Sequence, residues 1–132
     1  LELCERFGMN GIRVSIAWSR IFPMAAWVNP TPRRRLLPQP FASCRAHGVE
    51  PYVTLHHFDS PAAIYANGDF LNRDAIDAFE AYARFCFDEY PEVTRWFTFN
   101  EIAAATLNRY VEGTWPQGKK AACTSACRPS TT

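Results

Sequence analysis

Two apolar runs, Pro51–His56 and Val93–Phe99, are separated by a long amphipathic segment from Arg73 to Tyr90, and no hairpin turn offers a shorter way across. Strand, helix, strand in that order is the βαβ unit, whose right-handed crossover makes the two strands parallel. A third run of the same kind, Ile12–Trp18, precedes them. All three are rich in β-branched and aromatic residues, as strands covered on both faces are. The expected architecture is α/β, a parallel sheet with crossover helices.

The long helix is expected to start at an Asn72 cap and to stop before Pro91. Ile76, Phe79, Ala83, Cys86 and Tyr90 form the stripe predicted to pack, with Asp77, Glu80, Arg84 and Asp88 on the wet side. Asp74, Asp77 and Glu80 occupy its N-terminal half, as the helix dipole prefers. Leu1–Phe7 reads as a helix tail stopped by Gly8, and Phe41–His47 as a short helix.

Composition narrows the class. At 132 residues with 48% apolar and 20% charged residues, the chain has the balance of one soluble globular domain. A formal charge of +1 provides no field for nucleic acid or an anionic membrane, and Arg33-Arg34-Arg35, set among prolines, reads as a solvated loop. No apolar run approaches the roughly 20 residues of a membrane span. The opening Leu1-Glu2-Leu3-Cys4-Glu5 has neither an initiator Met nor a signal-peptide core, so a missing N-terminus is expected. Five cysteines without a Cys-x-x-Cys pair argue against a disulfide framework or a zinc knuckle and for a reduced, cytoplasmic setting.

Two stretches break the pattern. Met24–Pro40 stands where a second crossover helix belongs, yet Pro38 and Pro40 would each cost about 3 kcal/mol inside one. Gly118–Thr132 has no periodicity and reads as an irregular tail. Loss and return of helix grammar within one chain predicts a reading-frame disturbance in the coding sequence. The domain expected is therefore residues 1–117, with 24–40 departing from its pattern and 118–132 outside it.

In parallel α/β sheets ligands bind beyond the carboxyl ends of the strands. The second run ends in His56-His57-Phe58-Asp59, the third in Asn100-Glu101, and the first carries Arg13 among apolar residues. A guanidinium inside a covered sheet costs several kcal/mol unless paired, so Arg13 is expected to meet a carboxylate and these strand ends to share a pocket. A carboxylic acid in such a pocket can exchange a proton near neutral pH, and an amide beside it exchanges hydrogen bonds with hydroxyls, which suits a polyol or sugar. Each residue also has a structural alternative. Glu101 can begin the next helix with its carboxylate near the positive end, and Arg13 can be a plain ion pair. Adjacent strand histidines face opposite ways, so one of His56 and His57 is structural. Trp96, Phe97 and Phe99 read as core before sugar platform. No spacing resembles a zinc motif, so neither a metal nor another cofactor is expected.

Three runs carry a resemblance. Arg13-Val14-Ser15-Ile16-Ala17-Trp18-Ser19-Arg20-Ile21-Phe22-Pro23, Glu50 through Pro61, and Trp96-Phe97-Thr98-Phe99-Asn100-Glu101-Ile102 resemble, in order and spacing, the second to fourth barrel strands of family 1 glycoside hydrolases. Asn67-Gly68-Asp69-Phe70-Leu71-Asn72-Arg73 is similar to the 6-phospho-β-galactosidase branch more than to the β-glucosidases or 6-phospho-β-glucosidases.

The resemblance implies part of a (β/α)8 TIM barrel, a fold that needs about 200 residues or more when whole. It implies a retaining β-glycosidase with Glu101 as general acid/base, Asn100 on the sugar 2-hydroxyl, His57 on glycone hydroxyls, Arg13 beside the nucleophilic carboxylate, and Trp115 in a loop bordering the site. The implied partner is a small-molecule phosphorylated β-galactoside or related β-glycoside. The implied nucleophile and phosphate-binding loop belong to strands this sequence does not contain. A catalytically silent fragment is the competing expectation, because three strands of eight leave apolar sheet edges open and half of the carboxylate pair missing.

Overall fold

The structure is a computed structural model that describes residues 1–22 and 40–115. The chain divides into two compact units, Leu1–Asn100 and Glu101–Thr132. In the first the order is α1 (Glu2–Arg6), β1 (Gly11–Ser15), α2 (Trp18–Ile21), α3 (Pro40–Ala46), β2 (Glu50–His56), α4 (Ala62–Ala66), a 3₁₀ turn (Asp69–Leu71), α5 (Asp74–Glu89) and β3 (Arg95–Phe99). The second begins with α6 (Ile102–Thr106), which runs into a π-type turn (Leu107–Val111). The expectations for residues 24–39 and 118–132 lie outside the described residues.

The strands form one parallel sheet in the order β1-β2-β3. Arg13 pairs with Tyr52 and Ser15 with Thr54 across the first ladder; Thr54 pairs with Phe97 and His56 with Phe99 across the second. Spatial order equal to chain order is the arrangement of a barrel segment, whereas a doubly wound sheet reverses direction partway.

The expected elements are present with shifted limits. Trp18 is not in β1. The ladder closes with Ile16 N–H donating to the Thr54 carbonyl at 3.0 Å, after which the chain turns into α2 and buries Trp18 and Ile21. Likewise β3 starts at Arg95 and not at Val93, because Val93 is held in the turn after α5 by its N–H to the Tyr90 carbonyl, 3.0 Å. Pro40 opens α3 at a first-turn position, where its missing N–H costs no intrahelical bond. Asn72 serves α5 as expected, its Oδ1 accepting from Asp74 N–H at 3.1 Å. Gly8, at φ 66°, follows the end of α1 in the left-handed conformation that glycine tolerates best.

Two expectations are corrected. Among the described residues only β2 is a buried strand; β1 and β3, each with a single described neighbour in the sheet, are half-exposed along most of their length. The packed stripe of α5 holds at Phe79, Ala83, Cys86 and Tyr90, but its centre is turned so that Ile76 falls outside it. Ala75, Ala78, Tyr82 and Cys86 are its buried positions, Phe79 and Ala83 flank them, and Ile76 is 44% exposed. Tyr82 accounts for the turn. Its ring stacks on Trp18 at 5.2 Å, and its hydroxyl lies 3.0 Å from the Leu55 carbonyl and 3.3 Å from that of Ile16, so the phenol joins the helix to two strand ends. Burial pushes the Tyr82 phenol far above its ordinary range and pushes the Cys86 thiol up to about 12. Two small alanines let α5 approach Val53 and Leu55, which are fully buried.

Candidate active site

The first unit gathers a polar cluster on the sheet face opposite α5. Arg13 Nη2 donates to Asn100 Oδ1 at 2.7 Å and Arg13 Nε to Thr54 Oγ1 at 3.0 Å, while the guanidinium lies 4.5 Å from the centroid of the Phe97 ring. Asn100 is 7% exposed and extends the ladder, its N–H donating to the His56 carbonyl at 3.0 Å. His57 lies on the same face through Ser15, whose Oγ is 2.8 Å from His57 Nδ1.

Arg13 thus differs from expectation in its partners. No carboxylate among the described residues pairs with it; an amide oxygen, a hydroxyl and an aromatic ring do. The reason is exposure: on a half-open edge strand the guanidinium stays hydrated, so neutral acceptors suffice. Phe97 is likewise not core. It is 42% exposed beneath Arg13, whereas Trp96 and Phe99 are partly buried against α5 through Phe87 and Phe79.

One local irregularity puts His57 and Asn100 on this face. Thr54 and Phe97 touch Arg13, so strict alternation would send His56 and Phe99 there as well. Both instead contact Phe79 of α5, at ring-centroid distances of 6.5 and 4.8 Å, and the next residue of each strand, His57 and Asn100, takes the Arg13 side. The two paired strands change phase together. His56 is therefore the structural histidine and His57 the accessible one.

Sequence reasoning missed Ser15 and Thr54, neutral hydroxyls whose importance lies only in what they touch. It also missed a buried chain, His56 Nε2 to Ser60 Oγ at 3.2 Å and Ser60 Oγ to Asp69 Oδ1 at 2.7 Å. Serine sits in its middle and gives its proton to the carboxylate, so this is no Ser-His-Asp nucleophile system, in which histidine takes the serine proton.

Glu101 follows Asn100 directly and opens the second unit. It is exposed and stands at the N-cap of α6, so it does begin the next helix, as the alternative reading expected, although its side chain makes no cap bond there. Its backbone is left-handed, φ 41° and ψ 57°, a conformation worth about 1–3 kcal/mol of strain in a residue with a Cβ and one that clusters at functional sites. Of the three non-glycine residues with positive φ among the described residues, Phe58 and Glu101 directly follow His57 and Asn100. Trp115 belongs to the second unit, 6.0 Å from the Arg109 guanidinium. Among the described residues no group of three His, Cys, Asp or Glu side chains is arranged to hold a metal ion, and no described helix is long and apolar enough to cross a membrane.

A sequential parallel sheet with polar groups gathered at its carboxyl ends defines a segment of a (β/α)8 barrel. Solved structures agree: a rice beta-glucosidase superposes with a TM-score of 0.82 at 34% identity, over 91% of this chain and 26% of its own. A beta-glucosidase from Thermotoga maritima, in complex with deoxynojirimycin, does so at 0.81 and 28%, over 89% of this chain and 27% of its own.

The sequence profile of glycosyl hydrolase family 1 matches residues 1–128, and the chain belongs to that family. Its curated relatives include the 6-phospho-beta-galactosidase of Streptococcus mutans serotype c, 54% identical over 119 residues that make up 89% of this chain and 25% of the relative. That of Leptotrichia buccalis is 53% identical over 121 residues, 91% and 26% respectively. The chain spans about a quarter of the length of these relatives.

Proposed function

We propose that this chain is the part of a retaining β-glycosidase, acting on 6-phosphorylated β-galactosides inside the cell, that carries the general acid/base. Glu101 protonates the departing glycosidic oxygen and then takes a proton from the water that releases the sugar. Asn100 hydrogen-bonds the 2-hydroxyl as the oxocarbenium ion develops, and His57 binds glycone hydroxyls. Arg13 holds Asn100 through one nitrogen and keeps further N–H donors for the nucleophilic carboxylate, which a later strand of the whole enzyme supplies. Residues 1–117 form the enzyme segment. No cofactor takes part.

The observation that carries this proposal is the 2.7 Å bond from Arg13, midway along β1, to Asn100, just past the carboxyl end of β3, which brings together two of the residues the chemistry needs. The phosphorylated galactoside is favoured over a plain glucoside by identity: 53–54% to 6-phospho-beta-galactosidases, against 28–34% to the beta-glucosidases of similar fold. The reduced thiols of Cys4, Cys44 and Cys86 fit an intracellular setting.

The test is turnover of a chromogenic 6-phospho-β-galactoside. Alone, the chain lacks the nucleophile and is expected to be inactive. Residues 41–115 grafted in place of the matching segment of the Streptococcus mutans relative are expected to support turnover, with the unphosphorylated glucoside far slower. A well-folded graft that hydrolyses neither substrate, or prefers the glucoside, rejects the proposal.

A further inference from the structure

His56, Ser60 and Asp69 lie behind the polar cluster and outside the roles assigned above. They are 3%, 5% and 1% exposed. Ser60 has one hydroxyl proton and gives it to Asp69 Oδ1, so its oxygen accepts from His56 Nε2, which fixes the His56 tautomer with the proton on Nε2. The imidazole is walled by Trp18, Phe70, Phe79 and Phe99 at centroid distances of 5.2 to 6.5 Å. A polar chain this dry has one satisfied geometry and loses heavily if any link opens.

The chain ties the last residue of β2 to the residue before Pro61 at the start of α4, and both to the 3₁₀ turn that Asp69 opens. His57 and Phe58 lie inside the first tie. Phe58 is held at φ 76° and Asp69 at φ 53°. A bulky residue in that region persists only where its surroundings enforce it. Holding His56 on the α5 side is also what inverts the alternation of β2 and turns His57 toward Ser15.

We infer that Asp69, acting through Ser60 and His56, is the positioning residue that presents His57 to the substrate face; its catalytic meaning rests on the function proposed above. The chain has three histidines, so imidazole 15N–1H spectra of the whole protein resolve each one. In the unaltered protein His56 is expected as the Nε2–H tautomer, with a cross-peak between the His57 ring and Ser15. Ser60→Ala and Asp69→Leu are expected to lose that cross-peak, while Ser60→Thr and Asp69→Asn, which retain a hydroxyl or an acceptor, keep it. If Asp69→Leu fails to fold, the Ser60→Ala and Ser60→Thr pair still decides. A His57–Ser15 cross-peak that survives Ser60→Ala, or a His56 ring protonated on Nδ1 alone, overturns the inference. No sugar enters the measurement, so its outcome is independent of the turnover assay that judges the glycosidase proposal.

Discussion

The two faces of the sheet divide the work of the molecule. On one, α5 brings Ala75, Ala78, Tyr82 and Cys86 against Val53, Leu55 and Trp18 in a dry aromatic core. On the other, Arg13, Thr54, Phe97, Ser15, His57 and Asn100 meet by hydrogen bonds and ring contacts in partly hydrated surroundings. Apolar burial drives folding, whereas partly hydrated polar contacts contribute little to it, so the two faces are expected to differ in what a substitution costs in stability.

The largest expected effect breaks the core face. Tyr82→Ala removes the ring stacked on Trp18 and is expected to cost about 3–5 kcal/mol in urea unfolding; Tyr82→Phe, which only unpairs strand-end carbonyls, about 1–2 kcal/mol. A loss below about 1 kcal/mol for Tyr82→Ala would show that α5 does not hold the sheet.

Alkali attacks the same face. Burial keeps the Cys86 thiol and the Tyr90 phenol protonated up to about 12, from ordinary values of 9.0 and 10.0, and Tyr82 beyond that. Above pH 9 the unfolded chain releases protons that the folded chain retains, so stability is full below the ordinary values and falls as pH rises from 9 toward 12. Cys86→Ala is expected to reduce the part of that fall in the thiols' range, leaving there the contribution of Cys44, whose thiol is also pushed up by burial. An unchanged profile in Cys86→Ala would contradict the burial of the thiol.

On the open face the effects on stability shrink. Arg13→Ala is expected to cost under about 1 kcal/mol, because its partners are neutral and water can replace it, while the Asn100 side-chain amide signals in NMR spectra lose their dispersion. Ile76→Ser, at the position the sequence placed in the packed stripe, is expected to change stability by less than about 0.5 kcal/mol. A cost above 2 kcal/mol there would restore the original stripe and undo the turned helix.

How far the sequence was legible follows the same division. Parallel strands and the α5 crossover were readable because period and order are set by burial, which leaves a mark on every turn. Four of the five stripe residues were readable too, but its centre was not, since Tyr82 looks amphipathic until its hydroxyl finds two carbonyls. Asn100, Glu101 and the His56-His57 pair stood out as polar residues at strand ends and Arg13 as a charge among apolar residues, while only the family resemblance chose His57 over His56. Their partners were not legible, because the phase change at His56 and Phe99 depends on tertiary ties such as Ser60 to Asp69. Burial of Asp69 at 1% left no periodic trace at all.

The central claim is that Glu101 is the proton-transferring carboxylate, and azide rescue addresses it most directly. In the grafted enzyme, Glu101→Ala is expected to lower turnover of an activated dinitrophenyl 6-phospho-β-galactoside by about 10²–10⁴-fold at the sugar-release step. Added azide should restore the rate and yield the 6-phospho-β-galactosyl azide with retained configuration. Undiminished turnover in Glu101→Ala, or a slow variant that azide neither accelerates nor enters as product, would contradict the claim.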